Sequence, residues 1–148
     1  MITLLHHSTI VVEDIEKSLY FYRDILGFKV QIDQVLEGEE ISTVLGMPGV
    51  KLRVVVLQVG EQQTGLVGLL SFLSPREGKV EKRPSGTFHH ALVFVSDNID
   101  EIYNKLRNSG EKPISKPVTL TITGAGVVKI FTCLDPNGVL VEFDQFIS

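Results

Sequence analysis

The chain is short of several things, and each shortage excludes something. It has one cysteine, Cys133, in 148 residues. No internal disulfide can form, and the expectation is a reducing, cytoplasmic setting. Positive charge is scarce: 14 Lys and Arg stand against 18 Asp and Glu, a formal net charge of −4. With no basic stripe, neither nucleic acid nor an anionic membrane is expected as a partner. Long apolar runs are also missing. The strongest, "LRVVVLQV", is far too short to cross a bilayer. The opening "MITLLHHSTIVVED" has neither the basic start nor the sustained apolar stretch of a signal peptide.

What is present is the composition of one ordinary globular domain, 43% hydrophobic and 22% charged. "LLHHSTIVV" reads as a strand, and Asp14 then offers an N-cap. Ile15, Leu19, Tyr22 and Leu26 follow at helical spacing until Gly27. "FKVQIDQVL", "KLRVVVLQV" and "TGLVGLLSFL" read as three strands, and the connector after the first has room for a short helical turn. The polar "SPREGKVEKRPSG" reads as a linker.

Beyond it the order repeats. "TFHHALVFVS" is a strand, and Asp97 or Asn98 can cap a helix carrying Ile99, Ile102, Tyr103 and Leu106, ended by Gly110. "KPISKPVTL", "GVVKIFTCL" and "VLVEFDQFI" complete the set, the last two joined by the turn Asp135-Pro136-Asn137-Gly138. The expectation is an α+β fold of two βαβββ modules, an internal repeat of about 70 residues. One domain spans residues 1–148, with a first module over about 1–74, a linker at 75–86 and a second module over about 87–148.

Counting supports the repeat. His7 to Asp14 is seven residues, as is His90 to Asp97, and Asp14 to Gly27 is thirteen, as is Asp97 to Gly110. On this count His7 corresponds to His90, and His6 to His89 on the opposite sheet face, because neighbouring strand residues alternate. Glu142 is the third residue of interest, an acid inside the mostly apolar "GVLVEFDQF". Taken singly, a strand histidine or glutamate is more often a structural or solvated residue than a ligand.

Together, the histidine ahead of "SLYFYRDILGF", the second ahead of the second helix, and "DPNGVLVEF" resemble the vicinal oxygen chelate superfamily of glyoxalases, methylmalonyl-CoA epimerases, extradiol dioxygenases, fosfomycin-modifying enzymes and bleomycin-binding proteins. The resemblance covers nearly the whole chain. It implies a cupped mixed sheet around a divalent metal (Fe, Mn, Co, Ni or Zn), with ligands from the first and fourth strands of each module. Carried over, three places fall on His7, His90 and Glu142, with His89 as the one-residue alternative to His90. The remaining place falls on Gly68, which cannot ligate.

Two histidines and a carboxylate would leave open positions at which a small substrate chelates through oxygen, with the metal as Lewis acid. The leading expectation is a lyase or isomerase that moves a proton, with Glu142 as ligand and base. An Fe(II) extradiol-type dioxygenase tolerates Gly68. However, Thr132 stands where that chemistry has a tyrosine, and no histidine lies between Pro113 and Phe131. A fosfomycin-type transferase lacks its basic tail here. A metal-free, antibiotic-binding protein would not need the three ligands. The resemblance also implies a homodimer.

Overall fold

The computed structural model describes residues 6–75, 91–122 and 126–147. The chain divides into two compact units, Met1–Glu81 and Lys82–Ser148. Among the described residues, no helix is long and apolar enough to cross a membrane.

The first unit runs β1 (His7–Val11), α1 (Ile15–Leu19, continued as a π-helix over Tyr20–Ile25), β2 (Lys29–Glu37), α2 (Glu39–Leu45), β3 (Lys51–Gln58) and β4 (Leu66–Ser74). The second runs β5 (Ala91–Val95), α3 (Ile99–Asn108), β6 (Val118–Ile122), β7 (Gly126–Leu134) and β8 (Leu140–Phe146). Each unit holds one mixed four-stranded sheet, in the orders β1-β4-β3-β2 and β5-β8-β7-β6. In each, the first and last strands pair in parallel while the rest are antiparallel. This is the expected α+β repeat.

Local chemistry explains the helix starts. The Asp14 carboxylate accepts from the amides of Glu16 and Lys17, two donors that the first helical turn cannot satisfy itself. In the second unit Asn98 does this, accepting from the amide of Glu101. The π-helical turn lets α1 bury both Phe21 and Tyr22 completely. The 3.6-residue pattern picks out Tyr22 and misses Phe21. Arg53 ties α1 to its sheet, donating to Glu16 at 2.6 Å and to Asp33 at 2.7 and 2.8 Å.

α3 lies against β7 and β8. Tyr103 meets the ring of Phe131 edge-on at 5.5 Å, and Phe131 stacks on Phe143 at 4.9 Å. Phe131, Phe143, Val141 and Cys133 therefore form the helix-facing core of this unit. The Asp135 carboxylate fixes the β7–β8 turn by accepting from the amides of Asn137 and Val139, each at 2.8 Å, and Gly138 takes the φ of +81° that the turn requires. β6 starts at Val118, later than "KPISKPVTL" suggests, since Pro113 and Pro117 have no amide hydrogen to give a ladder.

Candidate functional site

Strand alternation fixes which side chains share a face. In β8, Val141 and Phe143 point to α3, so Glu142 and Asp144 point to the opposite, open face. Their cross-strand neighbours there are Val93 and Val95 of β5 and Thr132 and Ile130 of β7. In the first unit, Gly68 lies beside Thr9 and opposite Val56. A Cβ at Gly68 would point at Thr9 Oγ1, 2.6 Å away, and at His7 Cδ2, 3.1 Å away. His7, Thr9 and position 68 thus share the face that the helix leaves open.

Matching hydrogen bonds superpose the two units residue by residue. The amide of Val12 donates to Leu70 O at 2.8 Å, and that of Ser96 donates to Asp144 O at 2.9 Å. His7 pairs with Leu66 as Ala91 pairs with Leu140. First strands therefore correspond at an offset of 84 (91 − 7, 96 − 12), and last strands at 74 (140 − 66, 144 − 70). Asp14 maps onto Asn98, the observed cap, and Gly68 maps onto Glu142. The residue corresponding to His7 is Ala91. Asp14 therefore corresponds to Asn98 and not to Asp97 as the spacing alone suggests, because Asn98 holds the cap and α1 absorbs an extra residue in its π turn. His89 and His90 lie outside the described residues.

Of the expected ligands, His7 is exposed on the first unit and Glu142 is partly buried on the second. Within neither unit do three or more His, Cys, Asp or Glu side chains come together among the described residues. The alternation expected of His6 and His7 also fails at the strand's first residue. Their Nδ1 atoms lie 2.8 Å apart and their rings meet edge-on, so one ring donates and the other accepts. The four places to be filled by a metal's ligands thus hold an imidazole, a hydrogen atom (Gly68), a methyl group (Ala91) and a carboxyl group. Among the described residues these places supply two donors, one in each unit, where three or four protein ligands are usual for a firmly held divalent ion.

The carboxyl pair is the distinctive chemistry of the second unit. Glu142 and Asp144 share a side-chain hydrogen bond. Burial, then the neighbouring charge of Asp144, then that hydrogen bond hold the Glu142 carboxyl above its ordinary range. Burial raises Asp144 too, while accepting from Glu142 pulls it back. When the pair holds one proton, Glu142 rather than Asp144 carries it. Asp144 Oδ1 is buried with no hydrogen-bond partner among the described residues. The role of Asp144 was not singled out from sequence, although two acids at i and i+2 in an apolar strand are the available signal. An open hollow of about 750 Å³ lies elsewhere in the first unit, lined by Glu37, Ser42, Val50 and Lys51 but not by His7 or Gly68.

Comparison with known proteins agrees with this architecture. The profile of the Glyoxalase/Bleomycin resistance protein/Dioxygenase superfamily matches residues 4–143. Mitochondrial methylmalonyl-CoA epimerase of Mus musculus is 30% identical over 141 residues, spanning 95% of this chain and 72% of that protein. Ethylmalonyl-CoA/methylmalonyl-CoA epimerase of Cereibacter sphaeroides is 28% identical over 146 residues, spanning 98% and 99%. The crystal structure of a glyoxalase family protein from Bacillus cereus aligns with a TM-score of 0.84 at 17% identity, covering 100% of this chain and 97% of that one, a likeness of fold. The chain belongs to the Glyoxalase/Bleomycin resistance protein/Dioxygenase superfamily.

Proposed function

We propose that the chain is an isomerase that moves a proton at the carbon next to the carbonyl of an acyl thioester, in the manner that the names of its epimerase relatives describe. The observation that carries the reading is the Glu142–Asp144 pair, set among valines and an isoleucine on the open face of β8. A carboxyl whose proton affinity is raised by burial is a stronger base when ionised and still a donor when protonated.

In its carboxylate form Glu142 removes the α-proton, and the electron pair of the C–H bond moves into the adjacent carbonyl to give a planar enolate. Once the planar enolate has turned its other face to the Glu142 carboxyl, return of the proton to that face inverts the centre and regenerates the carboxylate. Once Glu142 is protonated, Asp144 orients its carboxyl by accepting its hydrogen bond, which breaks as the proton is returned.

The test is exchange of solvent deuterium into 2-substituted malonyl thioesters, followed together with loss of optical activity. Wild-type protein should catalyse both, and Glu142→Gln should slow both by about 10²–10⁴-fold, the usual contribution of a general acid–base group. Absence of exchange with both methylmalonyl and ethylmalonyl thioesters refutes the reading.

A further inference from the structure

The repeat gives each unit two places that face the same side on neighbouring strands, His7 and Gly68 in one, Ala91 and Glu142 in the other. Each unit has a donor at one of its two places and none at the other, and the donor stands on the first strand in one unit and on the last strand in the other. We propose that these four places hold no divalent ion in the working protein, so that the chain has the fold of a metal-dependent superfamily without its metal centre.

Three observations carry this. Ala91 presents a methyl group where the first unit presents an imidazole. The Gly68 place is closed as well as empty of donors. Thr9 occupies it so fully that even a Cβ would lie 2.6 Å from Thr9 Oγ1 and 3.3 Å from Thr9 Cα, so a ligating side chain there requires Thr9 to change rotamer or β1 to move. At the Glu142 place, the neighbours across to β5 are Val93 and Val95, which offer a cation nothing in exchange for its water. His7 alone retains a ring nitrogen, Nε2, since its Nδ1 is engaged with His6. One donor in each unit leaves most positions of a first-row divalent ion at either place to water, and such an ion exchanges freely with solvent.

The inference is independent of the isomerase reading, because metal content and proton exchange are measured separately. The full chain, expressed without a histidine tag and purified without chelator, is analysed for metals by mass spectrometry. It is then titrated calorimetrically with Mn(II), Co(II), Ni(II) and Zn(II), with thermal melting in the presence and absence of EDTA as a second readout. The expected result is metal far below one equivalent per chain and a melt that EDTA does not move. Ala91→His, placed on an exposed strand position, should restore a donor and tighten Co(II) binding by at least about tenfold, or 1.4 kcal/mol. About one equivalent of metal in wild-type protein, lost in His7→Ala or Glu142→Ala, overturns the proposal. Its loss in His90→Ala as well would reinstate the three-residue set expected from sequence. Failure of Ala91→His to bind any better than wild type also counts against it, since the missing imidazole would then not be what excludes the ion.

Discussion

Replacing Gly68 by alanine adds one methyl group on β4 directly beside Thr9 of β1. The new Cβ would sit 2.6 Å from Thr9 Oγ1 and 3.3 Å from Thr9 Cα. A carbon and a hydroxyl oxygen need more room than that, so Thr9 must change rotamer or the β1–β4 ladder must spread. Overpacking of this kind costs about 1–3 kcal/mol. Against it stands the stiffer unfolded chain of an alanine, a gain of about 0.4–1 kcal/mol. The net expectation is a loss of about 1–2 kcal/mol for Gly68→Ala.

Thr9→Ala removes the obstructing oxygen, so the double variant should recover most of the loss, with a coupling of about 1 kcal/mol or more. Urea unfolding of the three variants measures this. Native-state amide exchange locates it: the Val12 amide, bonded to Leu70 in the first unit, should exchange faster, while the Ser96 amide, bonded to Asp144 in the second, should not change. A Gly68→Ala protein as stable as wild type, or a cycle with no coupling, would show that the place beside His7 is open to a side chain. It would also remove the steric support for a site without metal.

Four other outcomes follow from individual residues. Folded protein binds the Glu142 proton more tightly than unfolded chain, so that contribution is full below about pH 4 and lost as pH rises through the raised folded value; Glu142→Gln should therefore stabilise the protein near neutrality, by an increment that vanishes on acidification in pH-dependent urea melts. Asp14→Ala and Asn98→Ala should each cost about 1 kcal/mol by leaving a first-turn amide unsatisfied, whereas Asp97→Ala should be nearly silent in the same assay. Burial pushes the Cys133 thiol up to about 12, so Ellman's reagent at neutral pH should label it only in denaturant, and rapid labelling of native protein would contradict its burial. A homodimer is expected by light scattering, since apolar side chains stand exposed on β2 (Val30, Ile32, Val35) and β6 (Val118, Leu120), and a lone 16.4 kDa species would refute it.

Much of the fold was legible because it is written in short-range chemistry. Strands announce themselves through β-branched alternation, and the Asn137-Gly138 turn and the glycines that end α1 and α3 mark their own positions. Less legible was whatever depends on a partner distant in sequence. That β1 and β5 pair in parallel with β4 and β8 is a tertiary fact, and the Thr9 side chain filling the place at Gly68 follows only from that pairing. The bond between His6 and His7 escaped for a related reason, because alternation governs residues inside a ladder and His6 precedes it.

The histidine spacing shows how two equal counts can coincide with ladders in a different register. From His7 to Gly27 is twenty residues, and from His90 to Gly110 is also twenty. That equality conceals two differences of opposite sign. The first helix spends an extra residue on its π turn, so cap to glycine is thirteen from Asp14 but twelve from Asn98. The residue seven before the cap is therefore His7 in one unit and Ala91 in the other. Composition and periodicity cannot detect the compensation, because both helices begin and end with suitable residues either way. Only the ladder separates the two alignments, through the equivalent bonds from Val12 and Ser96. Since a strand turns over every residue, a slip of one exchanges its two faces. Here it exchanges an imidazole for a methyl group at the place opposite Leu140, two residues along β8 from Glu142.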